Sequence, residues 1–138
     1  MALRTSADNA EDVAAGFTTF RAPLPEHAAE VTSLIADLYS ISSSLSGLEA
    51  LYKDSQYQRN FSLIQSDLEL VRTSLKYTLE DIVDFFRNLD GGKAGPAHYK
   101  RTWKTLNQFF WDESKYSLAT RLAKYKAILR ELTELAKE

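Results

Sequence analysis

Acid–base and metal chemistry in this chain of 138 residues has only two imidazoles to draw on, His27 and His98, and no thiol at all. Without cysteine, neither a disulfide framework nor a thiolate metal site can form. Each histidine follows a proline by two residues, in the first turn of a predicted helix, where a solvated surface imidazole is expected. Di-metal helical bundles place a glutamate three residues before a ligand histidine. Those positions here hold Leu24 and Gly95, so the motif is absent. No serine stands in a nucleophile-elbow sequence. Glu80, Asp81 and Asp84 could draw a cation, but acids clustered on one helix are expected to be solvated or paired. The reading is therefore of a protein that is not an enzyme, with no catalytic residue, no metal site and no cofactor.

Phosphate chemistry fares little better. Gly91-Gly92-Lys93-Ala94-Gly95 lacks the spacing of a phosphate-binding loop, and no strand precedes it. Lys100-Arg101-Thr102-Trp103-Lys104 interleaves basic and aromatic residues, yet Tyr99 and Trp103 fall on core-facing positions and leave little for base stacking. Lys100, Arg101 and Lys104, with Lys124 and Lys126 further on, form the candidate anion-binding set. They carry a secondary reading, in which anionic lipid or nucleic acid binds the C-terminal half. Charge is divided along the chain. Through Asp90 there are seven Lys or Arg against fourteen Asp or Glu; from Gly91 onward there are ten against five. Such a split fits two halves that attract each other in the fold, or a basic surface made for an acidic partner.

The elements that would position these residues are helical. Val31, Leu34, Leu38, Ile41, Leu45, Leu48 and Tyr52 recur at alternating steps of three and four. Phe61, Ile64, Leu68, Val71, Leu75, Thr78, Ile82, Phe85 and Leu89 repeat the pattern with one polar interruption. Each seam must be buried against another helix. The first predicted helix runs from about Pro25 to Lys53, since proline suits a first turn. Ser55 and Gln58 match a capping box that opens the second, which runs to about Leu89 and is stopped at Asp90-Gly91-Gly92. Gly95-Pro96 opens a third, with Tyr99, Trp103, Leu106 and Phe110 inward. Continued to the end it would be about 60 Å long, so a break is expected at Asp112-Glu113-Ser114, with Ser114 or Ser117 capping a fourth helix. Leu118, Leu122, Tyr125, Leu129, Leu132 and Ala136 form the fourth stripe, widened by Ile128 and Leu135. The expected fold is all-α: an antiparallel up-down four-helix bundle over residues 23–138, with two long helices, a shorter third and a flexible N-terminal arm over 1–22.

Three local features bear on function. The acids Glu80, Asp81 and Asp84 crowd the C-terminal half of their helix, where the macrodipole disfavours them, so pairing across to Lys100, Arg101 and Lys104 is expected. Ala36, Ser40, Ser43, Gly47 and Ala50 lie opposite the first seam, where a solvent face normally carries Lys and Glu. That small-residue face reads either as inert surface or as a protein-interaction site for the arm, a second copy or a further domain. Phe109-Phe110-Trp111 cannot all enter one seam, because successive helical residues are about 100° apart. Part of this clump is expected in the core, at the break between the third and fourth helices.

The segment Ser33-Leu34-Ile35-Ala36-Asp37-Leu38 with its serine-rich continuation to Leu48, and the run from Leu118 to Leu129, resemble the helical N-terminal domains of multidomain fungal proteins. That group includes STAND-type signalling proteins and their HeLo-like relatives, and the resemblance covers roughly residues 24–137. It implies a non-enzymatic signalling or interaction module preceding a longer C-terminal region. Some HeLo-like relatives act on membranes through an apolar N-terminal segment; here residues 1–22 carry Arg4, Asp8, Glu11, Asp12 and Arg21, so that activity is not carried over. The chain starts without the apolar core of a signal peptide, and a cytoplasmic location is expected. The partner expected is another protein or a second copy, ahead of membrane or nucleic acid, and no small-molecule substrate is indicated.

Overall fold

The segment expected as a flexible arm is a helix. In the computed structural model, which describes residues 3–89 and 95–138, α1 spans Leu3–Thr18. Its inward face is built from Leu3, Ser6, Ala7, Ala10, Val13, Ala14 and Phe17. Alanine is the strongest helix former and lets a neighbouring helix approach closely. Small residues weaken the apolar signal in the sequence while strengthening the helix itself. The chain then turns through Phe20 and Leu24, both buried, into a single 3-10 turn at Pro25–His27.

Among the described residues four further helices follow: α2 (Ala28–Lys53), α3 (Phe61–Arg87), α4 (Pro96–Ser114) and α5 (Leu118–Lys137). Both long seams are inward as expected, with Val31, Leu38, Ile41, Leu45, Leu48, Leu68, Leu75 and Ile82 fully buried. The fourth stripe from Leu118 to Ala136 is buried too, but Ile128 and Leu135 face solvent. The expected capping box does not open α3. Asp54 Oδ1 accepts from the Gln56 amide at 2.9 Å, and a 3-10 turn at Gln58–Asn60 delays the helix to Phe61. Asn60, at the N-cap position, instead donates from Nδ2 to the Ala136 carbonyl at 2.8 Å. The break after α4 falls where expected. Lys115 adopts a left-handed backbone with φ 62°, and Ser117 Oγ caps α5 by accepting from the Thr120 amide at 3.1 Å. The expected glycine stop at Asp90-Gly91-Gly92 lies outside the described residues.

The core contains one more helix than expected, and its connections are not those of a simple up-down bundle. α1 packs chiefly on α2, α2 also on α5, α5 on α3, and α3 on α1. Lys126 meets Asp37, and Thr133 shares a groove with Ser44, so α2 and α5 run parallel. Asn60 reaches Ala136 while Thr78 reaches Tyr125, so α3 and α5 run antiparallel. α1 therefore takes the place that the third predicted helix was expected to fill. That helix, α4, lies across the end of the bundle instead. Its Trp103 meets Phe17, Phe20 and His27, and its Tyr99 meets Phe20, with ring centroids 5.0–6.4 Å apart. The reason is geometric. A chain returning from α3 must start α5 at the same end, so the intervening helix crosses that end and covers its apolar residues.

Gly16 lets α1 and α3 meet at this end. A Cβ there would lie 2.7 Å from Phe86 Cδ2 and overlap Cε2, and the Phe86 ring is itself held edge-on against Phe17 at 5.0 Å. Gly47, on the outside of α2, would meet nothing within 4 Å. Alanine favours a helix over glycine by about 1 kcal/mol at either position, and only at Gly16 does overpacking of about 1–3 kcal/mol oppose it. Gly47→Ala is expected to stabilise by about 0.5–1 kcal/mol and Gly16→Ala to lose stability. Urea unfolding with unchanged slope measures both; a Gly16→Ala protein as stable as the parent would contradict this packing.

Candidate functional site

The structure disperses most of the residues singled out for function. On α2, Ala36, Ser43, Gly47 and Ala50 are exposed and Ser40 is half-buried. α1 does not lie over them; it reaches α2 from another side, where Ser42 is buried and donates to Glu11 Oε2 at 3.0 Å. Ser40, Ser43 and Gly47 instead edge a shallow groove of about 290 Å³ completed by Arg130, Thr133 and Glu134 of α5.

The five candidate anion-binding cations divide between two helices. Lys100, Arg101 and Lys104 are exposed on α4. Lys126 of α5 is engaged with Asp37 at 2.9 Å, and the Lys124 ammonium lies 5.1 Å from the Tyr116 ring centroid. The expected pairing of α3 acids with α4 bases is also not what forms. Asp84 accepts from Arg87 on its own helix at 3.0 Å. Of the aromatic clump, Phe110 is fully buried, Trp111 is half exposed and Phe109 lies between them. His27 is half-buried beside Trp103, and His98 Nδ1 lies 3.4 Å from Arg101 Nη2. Among the described residues no group of three or more His, Asp or Glu could hold a metal ion. No described helix is long and apolar enough to cross a membrane.

The densest polar chemistry lies where α3, α4 and α5 meet, and sequence periodicity gave no hint of it. Arg121 is buried on the core side of α5, donating to Glu113 Oε1 at 2.9 Å and Thr78 Oγ1 at 3.2 Å. Its guanidinium carbon lies 4.9 Å from the Phe110 ring centroid. Thr78 also shares a hydrogen bond with the Tyr125 hydroxyl at 2.9 Å, and Tyr125 with Ser74 at 2.6 Å. The network is an open chain from Ser74 through Tyr125, Thr78 and Arg121 to Glu113, with exposed residues at its two ends. Asp81 stands beside it. Burial raises its carboxyl above the usual aspartate range, the Glu113 and Asp84 charges push the same way, and Arg121 opposes them.

A second feature missed in the sequence lies on the outside of α3. Leu63, Leu70 and Tyr77 are 80%, 70% and 59% exposed. They stand seven residues apart, close to two helical turns, and so form one line along the helix. The signal was present as a second apolar repeat offset from the buried one, hidden because the buried seam already accounted for α3. Ser66 and Thr73, both exposed, lie between them. Glu69 and Arg72 flank the line and pair at 2.8 Å; that hydrogen bond holds Glu69 below the usual glutamate range and raises Arg72. The chain matches no known family model, no curated protein and no solved structure.

Asp81 gives this region a definite pH dependence. The native state holds its proton more tightly than the unfolded chain, so this group's contribution to stability falls as pH rises from the ordinary aspartate range through its raised folded value. Asp81→Asn is therefore expected to raise the unfolding midpoint at pH 7. Its gain should be under about 1 kcal/mol, because the site is partly solvated, and should shrink as pH falls from the raised folded value to the ordinary aspartate range. Thermal unfolding from pH 3 to 8 measures it, and a variant less stable than the parent at pH 7 would contradict the assigned electrostatics.

Proposed function

We propose that this chain is a non-enzymatic protein-interaction domain that associates with a second copy of itself through the outer face of α3. The observation that carries the reading is the exposed line Leu63–Leu70–Tyr77. Soluble proteins expose large apolar side chains singly as a matter of course; three aligned on one helix face, about 10 Å apart, form a pattern that a facing helix can cover. Its seven-residue spacing suits a facing helix, with each large side chain entering a gap between residues of the partner. An antiparallel copy about a twofold axis at Leu70 would set Leu70 against itself and Leu63 against Tyr77. Ser66 and Thr73 are small enough for close approach, and Glu69 brings its own counter-ion in Arg72.

The seam is about 21 Å long and presents three large side chains, whereas a standard stable interface engages roughly 20–30 residues on each partner. A weak, concentration-dependent dimer follows. Such an association suits a module whose valency is set by a larger assembly, and it agrees with the resemblance to N-terminal signalling domains of multidomain fungal proteins. Linking copies through a longer chain raises their effective concentration and turns a weak contact into a switchable one.

Sedimentation equilibrium over micromolar to millimolar protein tests this reading. The parent chain is expected to associate with rising concentration, and Leu63→Glu or Leu70→Glu to remain monomeric. Both positions are solvent-facing, so their unfolding free energy should stay within about 0.5 kcal/mol of the parent. A parent that is monomeric throughout, or an association that Leu70→Glu leaves intact, would overturn it.

A further inference from the structure

The charge split seen in the sequence is largely left open by the fold. Among the described residues, Lys126 is the one base of the C-terminal half that pairs with an acid of the N-terminal half, Asp37; Arg121 pairs within its own half, with Glu113. Arg101 and Lys104 reach no described carboxylate, and with His98 they repeat at steps of three along α4. These side chains edge a groove between α4 and the last turns of α3. It consists of two adjoining hollows of about 370 and 470 Å³ that share Phe85 and Thr105. Asn88, Thr102 and Gln108 add hydrogen-bonding groups to the walls. Phe85 meets Phe109 edge-on, with centroids 5.5 Å apart, and Phe109 keeps about a third of its surface in water. The acid on the rim, Asp112, accepts from Gln108 at 2.8 Å.

We propose that this groove binds an acidic peptide segment bearing aliphatic or aromatic side chains. Carboxylates of the segment would run along His98, Arg101 and Lys104, and an apolar side chain would settle over Phe85 and Phe109. Charge complementarity identifies the partner. At one end the rim presents Arg101 and Lys104 without a carboxylate partner, Asp112 stands at the other end, the floor is aromatic and the walls can hydrogen-bond a peptide backbone. From Arg101 to Asp112 the groove runs about 16 Å, the length of a short peptide. A bilayer or a nucleic-acid backbone fits less well, because Asp112 and Glu113 stand at the far end of the same helix and would meet a continuous anionic surface. Exposed charges of this kind chiefly govern the rate and selectivity of encounter, whereas the apolar anchor governs residence. Both must therefore matter. The groove shares no residue with the outer α3 line, and the two surfaces are disabled by different substitutions.

Fluorescence anisotropy with the intact chain tests this. The probe is a labelled synthetic peptide in which Asp and Glu alternate with Phe and Leu. One comparator replaces its apolar residues with Ser, the other its acids with Asn and Gln. Saturable binding of the probe is expected, weakening with salt and at least about tenfold weaker for each comparator. Arg101→Glu with Lys104→Glu, and separately Phe109→Ser, should each cost about tenfold. Leu70→Glu should change nothing, which separates this groove from the dimer seam. Arg101, Lys104 and Leu70 are solvent-facing and Phe109 is about a third exposed, and retained cooperative thermal unfolding confirms that the variants remain folded. The proposal is overturned by no saturable binding, by equal affinity for the serine comparator, or by variants that bind normally. Tighter binding of phosphatidylserine vesicles or single-stranded oligonucleotide through the same residues would overturn it as well.

Discussion

Phe17, Phe20, Phe86, Tyr99 and Trp103 meet where α1 ends, with Phe17 and Phe20 entirely withdrawn from solvent. Burying an aromatic or large aliphatic side chain contributes about 1.5–3 kcal/mol, and a well-oriented aromatic pair adds about 0.5–1.5 kcal/mol. The rest of the architecture depends on this cluster. It anchors α1 to α3, with Gly16 giving Phe86 the space it needs. It also draws α4 across the end of the bundle, since Tyr99 and Trp103 find their partners there. With α4 held at that angle, Arg101 and Lys104 are turned outward and a groove opens beside Phe85.

Electrostatics plays a smaller and more local part. An internal attraction between an acidic and a basic half would need many cross-half pairs, and the fold supplies Lys126–Asp37. The more consequential charge is Arg121, which ties α5 to α4 through Glu113 and to α3 through Thr78. Its Nε is buried without a partner. An unsatisfied buried donor costs about 1–3 kcal/mol, so this junction gives up some stability. Asp81 sits in the same field with its proton held more tightly than usual, because burial and three neighbouring acids, Glu113, Asp84 and Glu80, outweigh the attraction of Arg121.

The long helices were legible because their seams consist of large residues at helical spacing, as in Val31 to Leu48 and Phe61 to Ile82. The break before Ser117 could be read from length and capping chemistry together. α1 was missed because Ala7, Ala10 and Ala14 pack by being small, and a pattern of large apolar residues does not register them. The α3 start was misplaced because Asp54 forms a local turn ahead of the apparent capping box. Ile128 and Leu135 were assigned inward by composition although their angular positions on α5 face water. The line Leu63–Leu70–Tyr77 was readable as a repeat, but nothing in a linear pattern says which of two apolar lines a fold will cover.

Sequence alone determined the all-α class, the inward residues of the long seams and the absence of any cysteine chemistry, because helical periodicity and residue type are local properties. Tertiary structure decided that α1 enters the core and that α4 crosses its end, since both follow from which surfaces compete for the same space. It also decided what remains available for contact. His27 and Lys126 are occupied by neighbours, whereas Arg101, Lys104, Phe109 and the outer line of α3 face solvent. Exposure belongs to the packed assembly of helices rather than to any one of them, and for this chain that is where chemistry becomes available.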